Sequence, residues 1–136
     1  MKISSSSIAQ LLVNKNIKGG SFTIKSLKSG KEYTYSISRS EFKDRWYTHI
    51  KVETQYMEFK RLGTYFNGRI TNKRIEVDTP SAKAIAFVLK AVEDKKFDWL
   101  DSVMETYHLG SCIRCGKTLT DSQSIEAGLG PICREK

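Results

Sequence analysis

The feature that most constrains this fold is a change of hydrophobic period at Thr79-Pro80. Before it, short runs alternate apolar and polar residues: Phe22-Thr23-Ile24-Lys25, Tyr33-Thr34-Tyr35-Ser36-Ile37, and Trp46 to Val52. Successive side chains of a strand point to opposite faces, so these runs predict half-buried strands. The third puts Trp46, Thr48, Ile50 and Val52 on one face and Tyr47, His49 and Lys51 on the other. Ser29-Gly30 marks the turn of a hairpin between the first two. Residues 55–62 and 64–70 read as further strands, Asn67-Gly68 as a tight turn, and Arg74 to Val77 as a short last strand. After the break, Ala84, Ile85, Val88, Leu89 and Val92 recur at helical spacing up to about Glu93, with Thr79 as N-cap and proline at the first helical position. A second helix is expected from Phe97, with Leu100, Val103, Met104 and Tyr107 on its apolar side, stopping near Gly110. Near the start, Ser4 to Ser7 offer N-caps for a short helix over 5–14, and Gly19-Gly20 is expected to break the chain's direction. Strands first and helices after them indicate an α+β fold. The expected architecture is an antiparallel β-sheet of four to six strands packed by two to three helices.

The 136 residues suit one compact domain, or one domain with a small metal-held appendage. No run reaches the roughly eighteen apolar residues of a membrane span. The first residues lack the apolar core of a signal peptide, so a cytoplasmic location is expected. All three cysteines fall in the last 25 residues. That odd number argues against a secreted disulfide framework.

Cys112-Ile113-Arg114-Cys115-Gly116-Lys117 has the shape of a zinc knuckle. Two cysteines spaced by two residues grip one ion, and the glycine allows the tight path that aims amide N–H groups at the thiolates. Arg114 and Lys117 add positive charge beside them. Seventeen residues separate Cys115 from Cys133, and Gly128-Leu129-Gly130-Pro131-Ile132 forms a turn that delivers Cys133. Thr120 to Glu126 is rich in capping residues and reads as a helical turn. Structural zinc takes four protein ligands. His108, four positions before Cys112, is the nearest fourth donor. His49, Asp121, Glu126, a partner's ligand and water remain alternatives. A buried thiol cluster or a redox pair is the bland reading, but the α/β repeat around a redox motif is missing, and so short a segment needs a metal to stay folded. Structural Zn2+ held by His108, Cys112, Cys115 and Cys133 is therefore the expectation.

Those residues carry a resemblance. Cys112, Cys115, Gly116 and Lys117, then Leu119-Thr120-Asp121, Ser124-Ile125 and Gly128-Leu129-Gly130-Pro131-Ile132-Cys133, resemble the C-terminal signature of a domain-of-unknown-function family of small bacteriophage and bacterial proteins. The similarity spans about 108–134. It implies a phage-type protein with a zinc-ribbon or treble-clef-like module, and it supplies no established activity. A treble clef commonly takes its second ligand pair from a helix start, whereas only Cys133 is present here. The chain accordingly divides into a basic α+β domain, 1–107, and a zinc-binding module, 108–136.

The net charge of +8 is uneven. Residues 1–78 carry 15 Lys/Arg against 7 Asp/Glu, and residues 79–136 carry 8 against 8. Between Lys25 and Arg74 the cations are interleaved with Tyr33, Tyr35, Phe42, Trp46, Tyr47, Tyr56, Phe59, Tyr65 and Phe66. Cations neutralise phosphates and exposed rings stack on bases, which suits single-stranded nucleic acid. Strands also favour aromatic residues for packing, and half of these must face the core. Tyr47, Lys51, Lys60, Arg61, Arg69, Lys73 and Arg74 are the candidate binding residues. No phosphate-binding glycine loop, nucleophile elbow or paired-histidine metal helix is present, and the His-x-Glu motif of a zinc deaminase is missing. The expected function is a non-enzymatic phage-type accessory protein that binds DNA or RNA through its basic sheet. The alternative is a protein-interaction module that inhibits or redirects a host enzyme.

Overall fold

The structure, a computed structural model, describes residues 2–9 and 18–108, with 18–20 described by their backbone course alone. An eight-stranded sheet is packed on one face by two α-helices and a short 3-10 helix. Its strands are β1 (Lys2–Ile3), β2 (Lys18–Ser26), β3 (Glu32–Phe42), β4 (Arg45–Glu53), β5 (Phe59–Phe66), β6 (Arg69–Asn72), β7 (Ile75–Glu76) and β8 (Met104–His108). Their order is β1-β8-β2-β3-β4-β5-β6-β7, with every neighbouring pair antiparallel. The α+β expectation holds, but the sheet exceeds the expected four to six strands. Two-residue strands at both edges leave little unpaired backbone for another chain to join.

From β2 to β7 the chain is a meander. Three of its hairpins turn on two residues with positive φ: Lys43-Asp44, Asn67-Gly68 and Lys73-Arg74. Such turns match the right-handed twist of the strands they join, although only glycine adopts that backbone without strain. The Asn67-Gly68 turn is where the sequence places it. The strands around it are not the expected 55–62 and 64–70. A single strand β5 runs up to Phe66, and residues 55–57 belong to a turn closed by Met57 N–H donating to the Thr54 carbonyl. Gly19-Gly20 does not break the chain; it lies within β2, at a register shift against β3.

Helix α1 (Pro80–Glu93) begins as the sequence predicts: Thr79 Oγ1 accepts from Ala82 N–H at 3.3 Å, with proline next in the chain. At its end Lys95 takes positive φ, and the amides of Lys95 and Lys96 donate back to the carbonyls of Val92 and Ala91, satisfying two orphan acceptors. Helix α2 (Phe97–Val103) is shorter than expected. Met104 turns to extended backbone and opens the five-residue β8 instead of continuing the helix. Inserted between β1 and β2, β8 pairs along its whole length with β2 and at Thr106 and Tyr107 with β1, so ladder hydrogen bonds replace those a helix would make. The 3-10 helix (Ser5–Ala9) is the described part of the helix expected over 5–14; residues 10–17 lie outside the described residues. Asp101 on α2 holds its start, accepting from Ser5 N–H at 2.9 Å and Ser4 Oγ at 3.0 Å.

The core lies between helices and sheet. Ile85, Val88, Leu89 and Val92 of α1 meet Phe22, Tyr35, Ile37, Ile50 and Ile70 of the strands, with Ile8 and Leu100 closing one end. Two tyrosines tie the layers by hydrogen bonds. Tyr35 donates to the Ser81 carbonyl at 2.7 Å, and Tyr65 donates to the Glu93 carboxylate. Burial raises the pKa of both phenols, and the Glu93 contact raises that of Tyr65 further.

Candidate nucleic-acid interface

Strand alternation gives the sheet two unlike faces. Tyr35, Ile37, Thr48, Ile50, Tyr65 and Ile70 point inward and are buried. Ser36, Ser38, Ser40, Tyr47, His49, Lys51, Arg61, Thr64, Phe66, Arg69 and Thr71 point outward. Among the described residues no helix covers that outer face.

A β-bulge in β5 sets its pattern. Lys51 pairs with Arg61 and Ile50 with Gly63, so Leu62 is the extra residue. Arg61 and Thr64, three apart, consequently share the outer face, which plain alternation forbids. Between them stands His49. Ser40 Oγ lies 2.5 Å from His49 Nε2, Arg61 Nη1 3.3 Å from Nδ1, and Arg61 Nη2 donates to Thr64 Oγ1 at 3.3 Å. A guanidinium only donates, so Nδ1 is the acceptor and Nε2 carries the ring proton, donating it to Ser40. Partial burial, and then the Arg61 charge, hold the His49 pKa below the usual histidine value. In this tautomer Nε2 cannot accept the Ser40 proton, so the pair does not form a nucleophile and its base. The contacts instead hold the Arg61 guanidinium against His49 and Thr64.

Charge is polarised across the outer face. Near β1, β8 and β2, carboxylates are paired: Lys2 with Glu105 at 3.9 Å and Lys25 with Glu32 at 4.0 Å, while Tyr107 donates to Glu105. Toward β4, β5 and β6 stand Lys51, Arg61 and Arg69, none in an ion pair with a described residue. Tyr47 is half-buried beside them, and Phe66, next to the Asn67-Gly68 turn, is 80% exposed.

Four of the seven candidate residues, Tyr47, Lys51, Arg61 and Arg69, thus share one surface. Lys60 does not. It pairs with Val52 and stands on the helix side of the sheet, exposed beyond the helices. Lys73 and Arg74 occupy the tip of the β6–β7 hairpin. Sequence reasoning passed over Phe66, Ser40 and Thr64. Phe66 had a signal, since an apolar residue directly before a tight turn has little to pack against. The Ser40–His49–Arg61–Thr64 chain had none, because it depends on the bulge.

His108 is the only expected metal ligand among the described residues; Cys112, Cys115 and Cys133 lie outside them, as does the expected zinc-ribbon or treble-clef-like module. Its side chain is 3% exposed, at the end of β8 on the inner face, across from Phe22. No cluster of three or more potential metal ligands occurs among the described residues. None of the described helices is long and apolar enough to cross a membrane.

No curated protein and no solved structure matches the chain. Residues 102–136 match a family of unknown function (DUF6011), a segment that starts near the end of α2 and takes in β8 and the cysteine cluster.

Proposed function

We propose that the protein is a non-enzymatic nucleic-acid-binding accessory protein, which receives a single strand of DNA or RNA across its outer sheet face. The observation that carries this reading is the surface where, among the described residues, no helix lies over Lys51, Arg61 and Arg69 and none of them is in an ion pair, beside Tyr47 and the exposed ring of Phe66. Cations follow the phosphates while rings stack on bases, a combination that tolerates any base sequence. Lys73 and Arg74 extend the cationic track from the neighbouring hairpin. Arg61, held by His49 and Thr64, gives up little side-chain freedom on binding.

In the same reading Zn2+ is held by Cys112, Cys115, Cys133 and His108. A solvent-excluded imidazole at a strand end suits a closed structural site. The ion supplies folding energy to the segment after β8 and takes no part in contact with nucleic acid.

Fluorescence anisotropy with labelled oligo-dT and oligo-rU, at several salt concentrations, tests the interface. Binding should weaken by roughly 0.7 logarithmic units per phosphate contacted for each tenfold rise in salt. Arg61→Glu with Arg69→Glu should abolish it without changing the melting temperature. Failure of both oligonucleotides to bind at low salt would refute the reading. For the metal, elemental analysis should find about one zinc per chain; finding neither zinc nor iron removes the site.

A further inference from the structure

A second surface lies on the helix side of the sheet. A groove of about 570 Å³ runs between α1, α2 and the β2–β3 turn. Ile24, Val88 and Met104 form its buried floor, and Phe87, Trp99 and Val103 its walls. The Phe87 and Trp99 rings meet edge-on at 5.5 Å, yet remain 52% and 47% exposed. Among the described residues, the charged residues lining the groove are all lysines: Lys28, Lys31 and Lys83 at its rim, and Lys25, whose side chain turns to the outer face of the sheet. Lys25 is paired with Glu32, and the other three form no ion pair with a described residue.

We propose that this groove docks an acidic amphipathic helix of a partner protein, with apolar side chains seated between Phe87, Trp99 and Val103 and carboxylates facing Lys28, Lys31 and Lys83. The inference is independent of the outer-face reading. Charge complementarity selects the occupant. An apolar floor inside a wholly cationic rim matches an apolar stripe flanked by carboxylates. Shape selects it too. Pockets for small ligands bury most of the ligand, whereas these half-exposed walls leave one side of an occupant open, as a helix in a groove requires. The chain's own residues 109–136 are a poor match, carrying four Lys/Arg against three Asp/Glu. A second copy brings net charge +8 against the lysine rim. A flat lipid surface cannot reach a recessed floor.

The probe is a fluorescein-labelled helix of about 16 residues with Leu and Phe at positions i, i+3, i+4 and i+7 and Glu in most others. One control scatters the apolar residues at the same composition, and another replaces Glu by Lys. The patterned acidic peptide should bind at least about tenfold more tightly than either control and change the Trp99 fluorescence. Lys28→Glu with Lys83→Glu, and separately Trp99→Ala, should each weaken it about tenfold; Lys28 and Lys83 are exposed, so the charge reversals should leave melting unchanged, and Trp99→Ala should lower it only modestly through the lost edge contact with Phe87. Arg61→Glu, on the opposite face, should leave this binding intact. Equal affinity for either control, no binding up to millimolar peptide, or indifference to both variants overturns the proposal. So does displacement of the peptide by laurate or by anionic phosphatidylglycerol vesicles at lower concentration than unlabelled peptide, which assigns the groove to an amphiphile or a membrane.

Discussion

The two faces of the sheet are built from the same strands and differ in almost everything else. Inward, Tyr35, Ile37, Ile50 and Ile70 are buried under α1, and their few polar atoms find partners such as the Ser81 carbonyl. Outward, their immediate neighbours are serines, threonines, His49 and the cations Lys51 and Arg69, with helix cover absent among the described residues. A step of one residue therefore changes a side chain's task. Thr48 and His49, or Lys60 and Arg61, are adjacent in the chain and on opposite sides of the sheet. Stability and recognition are separable by strand parity, and substitutions can test that separation.

The largest effect should come from the inner layer. Leu89→Ala removes a fully buried side chain and should cost about 2–5 kcal/mol, whereas Arg61→Glu should change stability by no more than about 0.5 kcal/mol. Urea unfolding of the two variants measures the contrast, and equal losses would break it. Gly63→Ala comes next. An added Cβ there would stand 2.4 Å from the Thr71 carbonyl oxygen, at a positive φ. A loss of about 1–3 kcal/mol is expected, together with weaker oligonucleotide binding, because this bulge is what brings Arg61 and Thr64 to one face. Smaller and of opposite sign, Arg74→Gly should raise stability by about 1 kcal/mol by relieving a left-handed backbone. If Arg74 meets phosphate, the same variant binds oligonucleotide less tightly, separating the two roles within one residue.

The smallest effect is the pH response of His49. Its folded pKa is depressed, by partial burial first and by Arg61 second, so the unfolded chain takes up its proton at higher pH than the folded one. The stabilisation is fully present above the unfolded value of about 6.5 and is lost as pH falls through the folded pKa. Histidine NMR titration should place the midpoint below that of a free imidazole. Arg61→Gln should move it only part of the way back, since burial remains.

Much of the fold was legible because its signals are local. The alternation of β4, the Ser29-Gly30 and Asn67-Gly68 turns, and the Thr79-Pro80 entry to α1 each involve a few neighbouring residues. The helix expected beyond Val103 failed for the opposite reason. Met104 and Tyr107 fit the helical stripe of Phe97, Leu100 and Val103, but Met104, Thr106 and His108 also alternate, and Thr and Tyr favour strands. What decides between the two is a vacant position between β1 and β2, some eighty residues upstream, and no local window contains it. The candidate surface divides in the same way. Tyr47 and Lys51 follow from alternation, whereas the grouping of Arg61 with His49 and Thr64 depends on one extra residue in β5 that periodicity does not announce.

The position of β8 also governs the order in which the molecule can be completed. During synthesis, residues 18–76 emerge early and can pair as a meander through nearest-neighbour hairpins, which close quickly. Until Met104–His108 has left the ribosome, however, Phe22 to Ser26 of β2 have no partner on one side, and β1 has none at all. The nascent chain therefore carries an open edge until β8 is free to pair, and that edge can recruit other chains. A chain that stops before residue 104 keeps this exposure permanently and should accumulate as aggregate, even though its meander and helix α1 are whole.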